Sequence, residues 1–207
     1  MMQAYMKSAM PYHGVPTPIL VRACRQLFSD IQLTSAPIWR AYVRQLWRGA
    51  GYREERYVAI LLTGDPRAAR FQTPATMPLY EEIIVTGAWW DYVDPIASRR
   101  VGPILKDYPA PMKKMMRAWS KSDNLWKRRT SILCQLGFKS DTDLELLYAC
   151  IEPSIDADEF FLRKAIGWAL RQYAWADPGE VKRYVRENQG KLSNLSKREA
   201  LKNLRGS

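Results

Sequence analysis

The sequence predicts an all-α protein built from a succession of short helices. Apolar residues recur at spacings of three and four along the chain, whereas the alternation typical of β-strands is weak throughout. Proline, glycine, aspartate and serine separate these periodic segments, as they do at helix ends and turns. The segments fall into pairs of roughly 35–45 residues, a length typical of helical solenoids. The pattern alone leaves a compact, non-repeating helical bundle open as the alternative.

The periodic segments predict ten helices and a short eleventh one. They are expected at 18–28, 36–48, 53–63, 78–86, 90–106, 111–119, 124–136, 142–151, 159–175, 178–187 and, for the short one, 197–204. Pro178 suits the first position of a helix, and Gly137 suits a helix end. The stretches 156–159 and 196–199 match the capping box, in which an Asp or Ser is followed three residues later by Glu. No long linker divides the chain, so we predict one domain over 1–207.

The charge of the chain predicts a polyanionic partner. Thirty-two Lys and Arg stand against 21 Asp and Glu, which gives a net charge of +11. The isoelectric point is near 9.7. Such a basic protein typically binds nucleic acid, and a solvated basic surface is the alternative.

Cysteine and histidine usage argues against a disulfide framework and predicts no zinc site. Cys24, Cys134 and Cys150 are scattered and odd in number, and with His13 they show no metal-ligand spacing. Residues 1–7 lack the charged and apolar regions of a signal peptide, and no apolar run approaches the roughly 18 residues of a membrane span. We therefore expect a soluble, cytoplasmic protein with no membrane partner.

Arg129 interrupts the apolar face of the segment 124–136. That face is formed by Leu125, Ile132, Leu133 and Leu136. A guanidinium directed at a core or cleft needs a carboxylate or phosphate partner, because unpaired burial costs several kcal/mol. Arg129 is therefore either part of a structural salt bridge or a ligand of a phosphate or an active-site carboxylate, for which its fork is suited.

Trp168 lies off the apolar stripe of the segment 159–175, among Lys164, Arg171 and Gln172. A tryptophan flanked by cations can offer a stacking surface to sugar and phosphate. Packing against a neighbouring helix pair is the alternative.

Trp90 and Asp94 are four residues apart and share one helix face. Pro95 follows Asp94 and indicates a position near a helix start. Asp94 is therefore either an N-cap or a carboxylate held beside an aromatic face, able to stabilise a cation or orient water. The positions of this helix predicted to face inward are Val93, Ala97, Val101 and Ile104.

The order of several short motifs resembles the AlkD-like DNA alkylation repair family, bacterial DNA glycosylases built from HEAT-like helical repeats. The resemblance covers about Tyr5 to Leu204. The motifs are Tyr5-Met6-Lys7, Gly14-Val15-Pro16-Thr17-Pro18, Trp89-Trp90-Asp91-Tyr92-Val93-Asp94, Ser122-Asp123-Asn124-Leu125-Trp126, the stretch from Phe160 to Trp168, and Leu195-Ser196-Lys197-Arg198-Glu199-Ala200. The resemblance implies an all-α, HEAT-like helical repeat solenoid with a concave basic DNA-binding cleft.

The resemblance also implies roles for individual residues. The residues expected to act in catalysis are Asp94, Trp90, Trp168 and Arg129. Those expected to contact DNA are Tyr5, Lys164, Arg171 and Arg129. Pro16 stands where the family often has a polar residue such as Gln, so lesion contacts at that edge of the cleft are expected to differ. The chain begins almost at the Tyr5 motif and lacks most of the helix that usually precedes it, so either one side of the cleft is more open or the start site is misassigned.

The implied activity is hydrolysis of the N-glycosidic bond of cationic N3- or N7-alkylated purines in duplex DNA, without base flipping. Asp94 would stabilise the developing sugar cation, and Trp90 and Trp168 would do so through their aromatic faces. The chain has no Gly-rich phosphate loop, Gly-x-Ser-x-Gly elbow or Cys–His pair, so no cofactor and no metal are expected. The expected partner is duplex DNA carrying alkylated purines, bound by a monomer.

Two other classes of function remain as alternatives. A non-catalytic DNA-shape-binding module on the same fold is the first, and the presence of Asp94, Trp90 and Trp168 argues against it. A helical-repeat protein scaffold is the second, and the charge of +11 argues against that.

Overall fold

The protein is all-helical in the computed structural model, which describes residues 2–204 and contains no β-strand in that range. The all-α prediction is therefore confirmed. Packing divides the chain into two compact units, Met1–Ile83 and Ile84–Ser207. The single domain over 1–207 stays a prediction, and residue 1 and residues 205–207 of that range lie outside the described residues.

Among its described residues, the first unit contains four α-helices, and a fifth spans its boundary at Ile83. They are α1 (Met2–Tyr5), α2 (Thr17–Ser29), α3 (Ala36–Gly49), α4 (Arg53–Thr63) and α5 (Met77–Gly87), with short 3-10 helices at Pro66–Phe71 and Pro74–Thr76. Helix α4 packs against α2 and α3. Trp39 of α3 is fully buried and its indole N–H donates to the Leu62 carbonyl at 3.2 Å.

The loop that leads into α2 is anchored by one buried carboxylate. Glu54 accepts hydrogen bonds from the backbone N–H groups of His13, Gly14 and Val15 at 3.1, 2.8 and 3.3 Å. Gly14 has φ +80°, a conformation that favours glycine. Pro16, the residue that departs from the expected motif, is the last residue before α2.

The second unit contains the remaining helices of the described chain. They are α6 (Trp90–Ile96), α7 (Gly102–Asp107), α8 (Pro109–Trp119), α9 (Leu125–Leu133), α10 (Leu144–Ile151), α11 (Phe160–Tyr173), α12 (Pro178–Glu187) and α13 (Asn194–Ala200), with 3-10 helices at Lys139–Asp141, Glu152–Ser154 and Lys202–Leu204. A π-helical segment, Ala97–Val101, joins α6 to α7. Helix α9 packs against both α6 and α11, and α11 also packs against α13.

The predicted inward face of 90–106 is confirmed, because all four of its apolar residues are fully buried. Pro178 is confirmed as the first residue of α12, where the carboxylate of Asp177 accepts the Glu180 N–H at 2.9 Å.

The three cysteines are buried and free. Within residues 2–204, no helix has the length and apolar character needed to cross a membrane.

Three predictions about helix ends are wrong. Helix α9 ends at Leu133, ahead of the stop predicted at Gly137. The residues 156–159 form no capping box, because Glu159 precedes α11 without a side-chain cap and Asp158 pairs with Arg163. The residues 196–199 form none either, because α13 begins two residues earlier.

Ser193 is the residue that caps α13, and its hydroxyl accepts the Ser196 N–H at 3.0 Å. The side chain of Ser196 donates to the Arg163 carbonyl of α11 at 3.0 Å. The side chain of Glu199 therefore does not cap α13, and it forms ion pairs with residues of α11 instead.

Candidate active site

Asp94 lies inside helix α6 and does not cap it. The backbone is extended at Trp89 (φ −152°, ψ 145°) and turns helical at Trp90, four residues before Asp94. The N-cap alternative for Asp94 is therefore wrong. Its carboxylate faces α9 and pairs there with Arg129.

The helix is irregular immediately after Asp94. Pro95 lies within α6 and cannot donate a backbone hydrogen bond to the preceding turn. The Ser98 hydroxyl donates to the Asp94 carbonyl at 2.8 Å, and the π-helical segment follows. Such local π-turns are frequent at functional sites, because they redirect side chains within an otherwise regular helix.

Arg129 holds both oxygens of the Asp94 carboxylate. Its Nε donates to Oδ1 at 2.7 Å and its Nη2 donates to Oδ2 at 2.8 Å. The remaining Nη1 donates to the Phe161 carbonyl in the first turn of α11, at 2.5 Å. Only 5% of the Arg129 side chain and 13% of the Asp94 side chain are exposed. The guanidinium thus joins α6, α9 and α11 at one carboxylate.

This geometry answers the question left open for Arg129. It is a buried salt bridge, and its partner is the candidate catalytic carboxylate itself. All three guanidinium nitrogens are engaged, so Arg129 is placed to orient Asp94. Its contact with DNA stays a prediction.

Helix α9 presents Arg129 because its first turn is fixed. The side chain of Asn124 accepts the N–H groups of Trp126 and Lys127 at 3.0 and 3.1 Å, which is the usual role of an asparagine N-cap. Trp126 and Arg129 are three residues apart and therefore share a face of α9.

Trp89, Trp126 and Phe161 form an aromatic cluster, and Phe161 brings it next to the guanidinium of Arg129. The ring of Phe161 lies 5.0 Å from that of Trp126 and 5.2 Å from that of Trp89. The guanidinium of Arg129 lies 5.9 Å from the Phe161 ring. The sequence reasoning missed this cluster as a unit, because its members come from three segments of the chain. Only the spacing of Trp126 and Arg129 signalled part of it.

Burial raises the pKa of Asp94 above its ordinary value. The hydrogen bond and charge of Arg129 oppose this effect, and the neighbouring charge of Asp91 adds to it. Burial therefore disfavours the ionised form of this carboxylate, and carboxylates with a shifted pKa are frequent at functional sites.

The two candidate aromatic residues, Trp90 and Trp168, lie on α6 and α11, two of the three helices that the Arg129 guanidinium joins. Trp90 is one turn before Asp94 on α6 and is 36% exposed. Trp168 is half-buried on α11, seven residues and so two turns after Phe161 on the same face, roughly 10 Å along the helix. Their roles toward a sugar stay predictions.

The remaining predicted DNA contacts belong to α1 of the first unit and α11 of the second unit. Tyr5 ends α1 in the first unit and is 75% exposed. Lys164 and Arg171 lie on α11, where both contact the carboxylate of Glu199. Among the described residues, no cluster of three or more His, Cys, Asp or Glu side chains is arranged to hold a metal ion.

Comparisons with known proteins define the family. The sequence model of the DNA alkylation repair enzyme family matches residues 1–204. A solved structure described as a predicted DNA alkylation repair enzyme from Enterococcus faecalis is 28% identical, with a TM-score of 0.88 over 100% of this chain and 94% of that one. A search of curated proteins finds no match.

The chain belongs to the DNA alkylation repair enzyme family and has its helical repeat fold. Membership supports an enzyme role in the repair of alkylated DNA, with DNA as the partner.

Proposed function

We propose that the protein is a DNA glycosylase that hydrolyses the N-glycosidic bond of cationic N3- and N7-alkylated purines in duplex DNA. The observation that carries this proposal is the Asp94 carboxylate, held at both oxygens by Arg129 and lying one turn from a solvent-exposed tryptophan. Alkylation leaves a positive charge on the base, and departure of the base transfers that charge to the deoxyribose. A fixed carboxylate is the group that stabilises such a cation.

Pre-orientation is the contribution of Arg129. A carboxylate on a flexible side chain would reorganise as the sugar cation develops, whereas one held by two hydrogen bonds at 2.7 and 2.8 Å is already in place. The same carboxylate can position the attacking water. The faces of Trp90 and Trp168 would each add about 0.5–2 kcal/mol through attraction of the cation to the aromatic quadrupole.

We propose that the damaged base is not drawn into an enclosed pocket. A cavity of about 240 Å³ lies in the second unit, but its lining includes Lys106, Lys113 and Gln135 and none of the four candidate catalytic residues. Enzymes that flip a base read it in a snug pocket. Contacts limited to sugar and phosphate would tolerate bulky adducts, which makes such adducts a further substrate class to test.

The test is release of 7-methylguanine and 3-methyladenine from methylated duplex DNA by the wild type, Asp94→Asn and Asp91→Asn. We expect release by the wild type, a fall of at least about 100-fold for Asp94→Asn, and little change for Asp91→Asn, which alters the same charge three residues away. Chromatography of the released bases measures the rates.

Two outcomes would contradict the proposal. Equal release by the wild type and Asp94→Asn would remove Asp94 from the chemistry. Absence of release from methylated DNA and from DNA carrying bulky N7 adducts, with binding intact, would favour the non-catalytic DNA-shape-binding module instead.

A further inference from the structure

The carboxylate of Glu199 on α13 pairs with two cations of α11. Its Oε1 lies 3.1 Å from Lys164 Nζ, and its Oε2 accepts a hydrogen bond from Arg171 Nη1 at 2.8 Å. Only 13% of the Glu199 side chain is exposed. Burial acts to raise the pKa of this group, but Lys164, Arg171 and Lys202 outweigh it, so the pKa is lowered and the group is ionised at neutral pH.

Close helix packing fixes the position of this carboxylate. A Cβ added at Gly167 of α11 would lie 2.5 Å from the Cβ of Glu199 and 2.9 Å from the Ser196 carbonyl oxygen. Only glycine allows the two helices to approach this closely. The Ser196 hydroxyl fastens the same contact through the Arg163 carbonyl.

The two cations lie on either side of a candidate sugar-binding residue. Lys164 and Arg171 are seven residues apart, which places them on one face of α11, and Trp168 lies between them on that face. Cations beside an aromatic face are the usual means of holding a nucleic-acid backbone. In this structure both are turned to a carboxylate of the protein.

A carboxylate with one cation on each oxygen resembles a backbone phosphate in charge and in hydrogen bonding. We propose that Glu199 is a specificity-determining residue that occupies Lys164 and Arg171 in place of a DNA phosphate and so weakens binding to undamaged duplex. DNA must displace or share this carboxylate to engage the two cations. Displacing Glu199 lowers the affinity for undamaged DNA, whereas DNA that makes further contacts at the site compensates for this cost. This inference rests on the proposed contact of α11 with DNA.

The test is binding of a fluorescently labelled undamaged duplex by the wild type and Glu199→Gln over a range of KCl concentrations. One additional phosphate contact steepens the slope of log K against log [salt] by about 0.9, which corresponds to a roughly eightfold gain in affinity at about 0.1 M salt. We expect both changes for Glu199→Gln. Replacing Lys164 and Arg171 with glutamine in the same background should abolish the gain.

Glu187→Gln is the matched control. It removes the same charge from an exposed glutamate that pairs with Arg183 on α12, so it reports the effect of net charge alone. Thermal unfolding checks that each variant is folded. If Glu199→Gln does not fold, Glu199→Asp takes its place, because the shorter side chain keeps the charge but cannot span both cations, and a smaller gain of the same sign is expected.

Weaker DNA binding by Glu199→Gln would overturn the inference, because it would show that Glu199 aligns the cations for phosphate. An unchanged slope, or equal gains in Glu199→Gln and Glu187→Gln, would overturn it as well. This test is independent of the proposed glycosylase activity. That activity is tested by base release, whereas this experiment measures only the binding of undamaged DNA.

Discussion

Replacement of Arg129 by lysine tests whether a forked cation is needed to hold Asp94. The guanidinium donates to both carboxylate oxygens and to the Phe161 carbonyl from three different nitrogens. Lysine keeps the charge but presents a single ammonium at the end of an unbranched chain. It cannot span three acceptors that are arranged for a planar fork.

The expected loss follows from the hydrogen bonds. A hydrogen bond to a charged group contributes about 1.5–3 kcal/mol, and Arg129→Lys loses at least two such bonds while the ammonium recovers part through its charge. We expect a loss of about 2–4 kcal/mol of unfolding free energy. In a chain of this size that lowers the Tm by roughly 4–16 °C. A carboxylate misplaced by about 1 Å also costs roughly 100-fold in rate.

Thermal unfolding and single-turnover release of 7-methylguanine measure the two effects. Arg128→Lys is the matched control, because Arg128 lies on the same helix and its guanidinium contacts Ser154 Oγ at 3.0 Å and the Pro153 carbonyl at 3.3 Å. We expect this control to lose some stability but to retain its rate of base release. Wild-type release by Arg129→Lys, or an equal fall in the two variants, would refute the reasoning.

Two further predictions concern the same unit. Because burial raises the pKa of Asp94, and because only the ionised carboxylate stabilises a cation, base release should fall as the pH drops through that raised pKa, at a higher pH than the ordinary value of about 3.9 would give. A pH profile of single-turnover rates checks this, and an acid limb at or below the ordinary value would contradict it. Gly167→Ala should lower the unfolding free energy by about 1–3 kcal/mol, because its Cβ meets Glu199 and backbone of α13, whereas Gly137→Ala meets nothing within 4 Å and should be nearly neutral. Thermal unfolding measures the stability of both variants, and equal stability of Gly167→Ala and Gly137→Ala would contradict the close approach of α11 and α13.

Periodicity predicted the helices well where a whole apolar face is buried. The segment 53–63 is helical over the same residues, and the inward positions of 90–106 are all buried. Helix ends were predicted less well, because a capping motif can be satisfied by a more distant partner. Glu199 matched a capping box in the sequence, yet its carboxylate pairs with Lys164 and Arg171 of α11 instead.

The sequence by itself determined that Arg129 lies on an apolar helix face and needs a carboxylate or phosphate partner. It also placed Trp90 and Asp94 on one side of a helix, since both conclusions follow from the helical period. The tertiary structure decided which acid meets Arg129, because Asp94 is 35 residues away and only the packing of α6 on α9 brings the two together. It likewise decided that Phe161 supplies the third acceptor and that Glu199 bridges Lys164 and Arg171. A helical period reports which face is buried, whereas the partner across that face is set by how the helices pack.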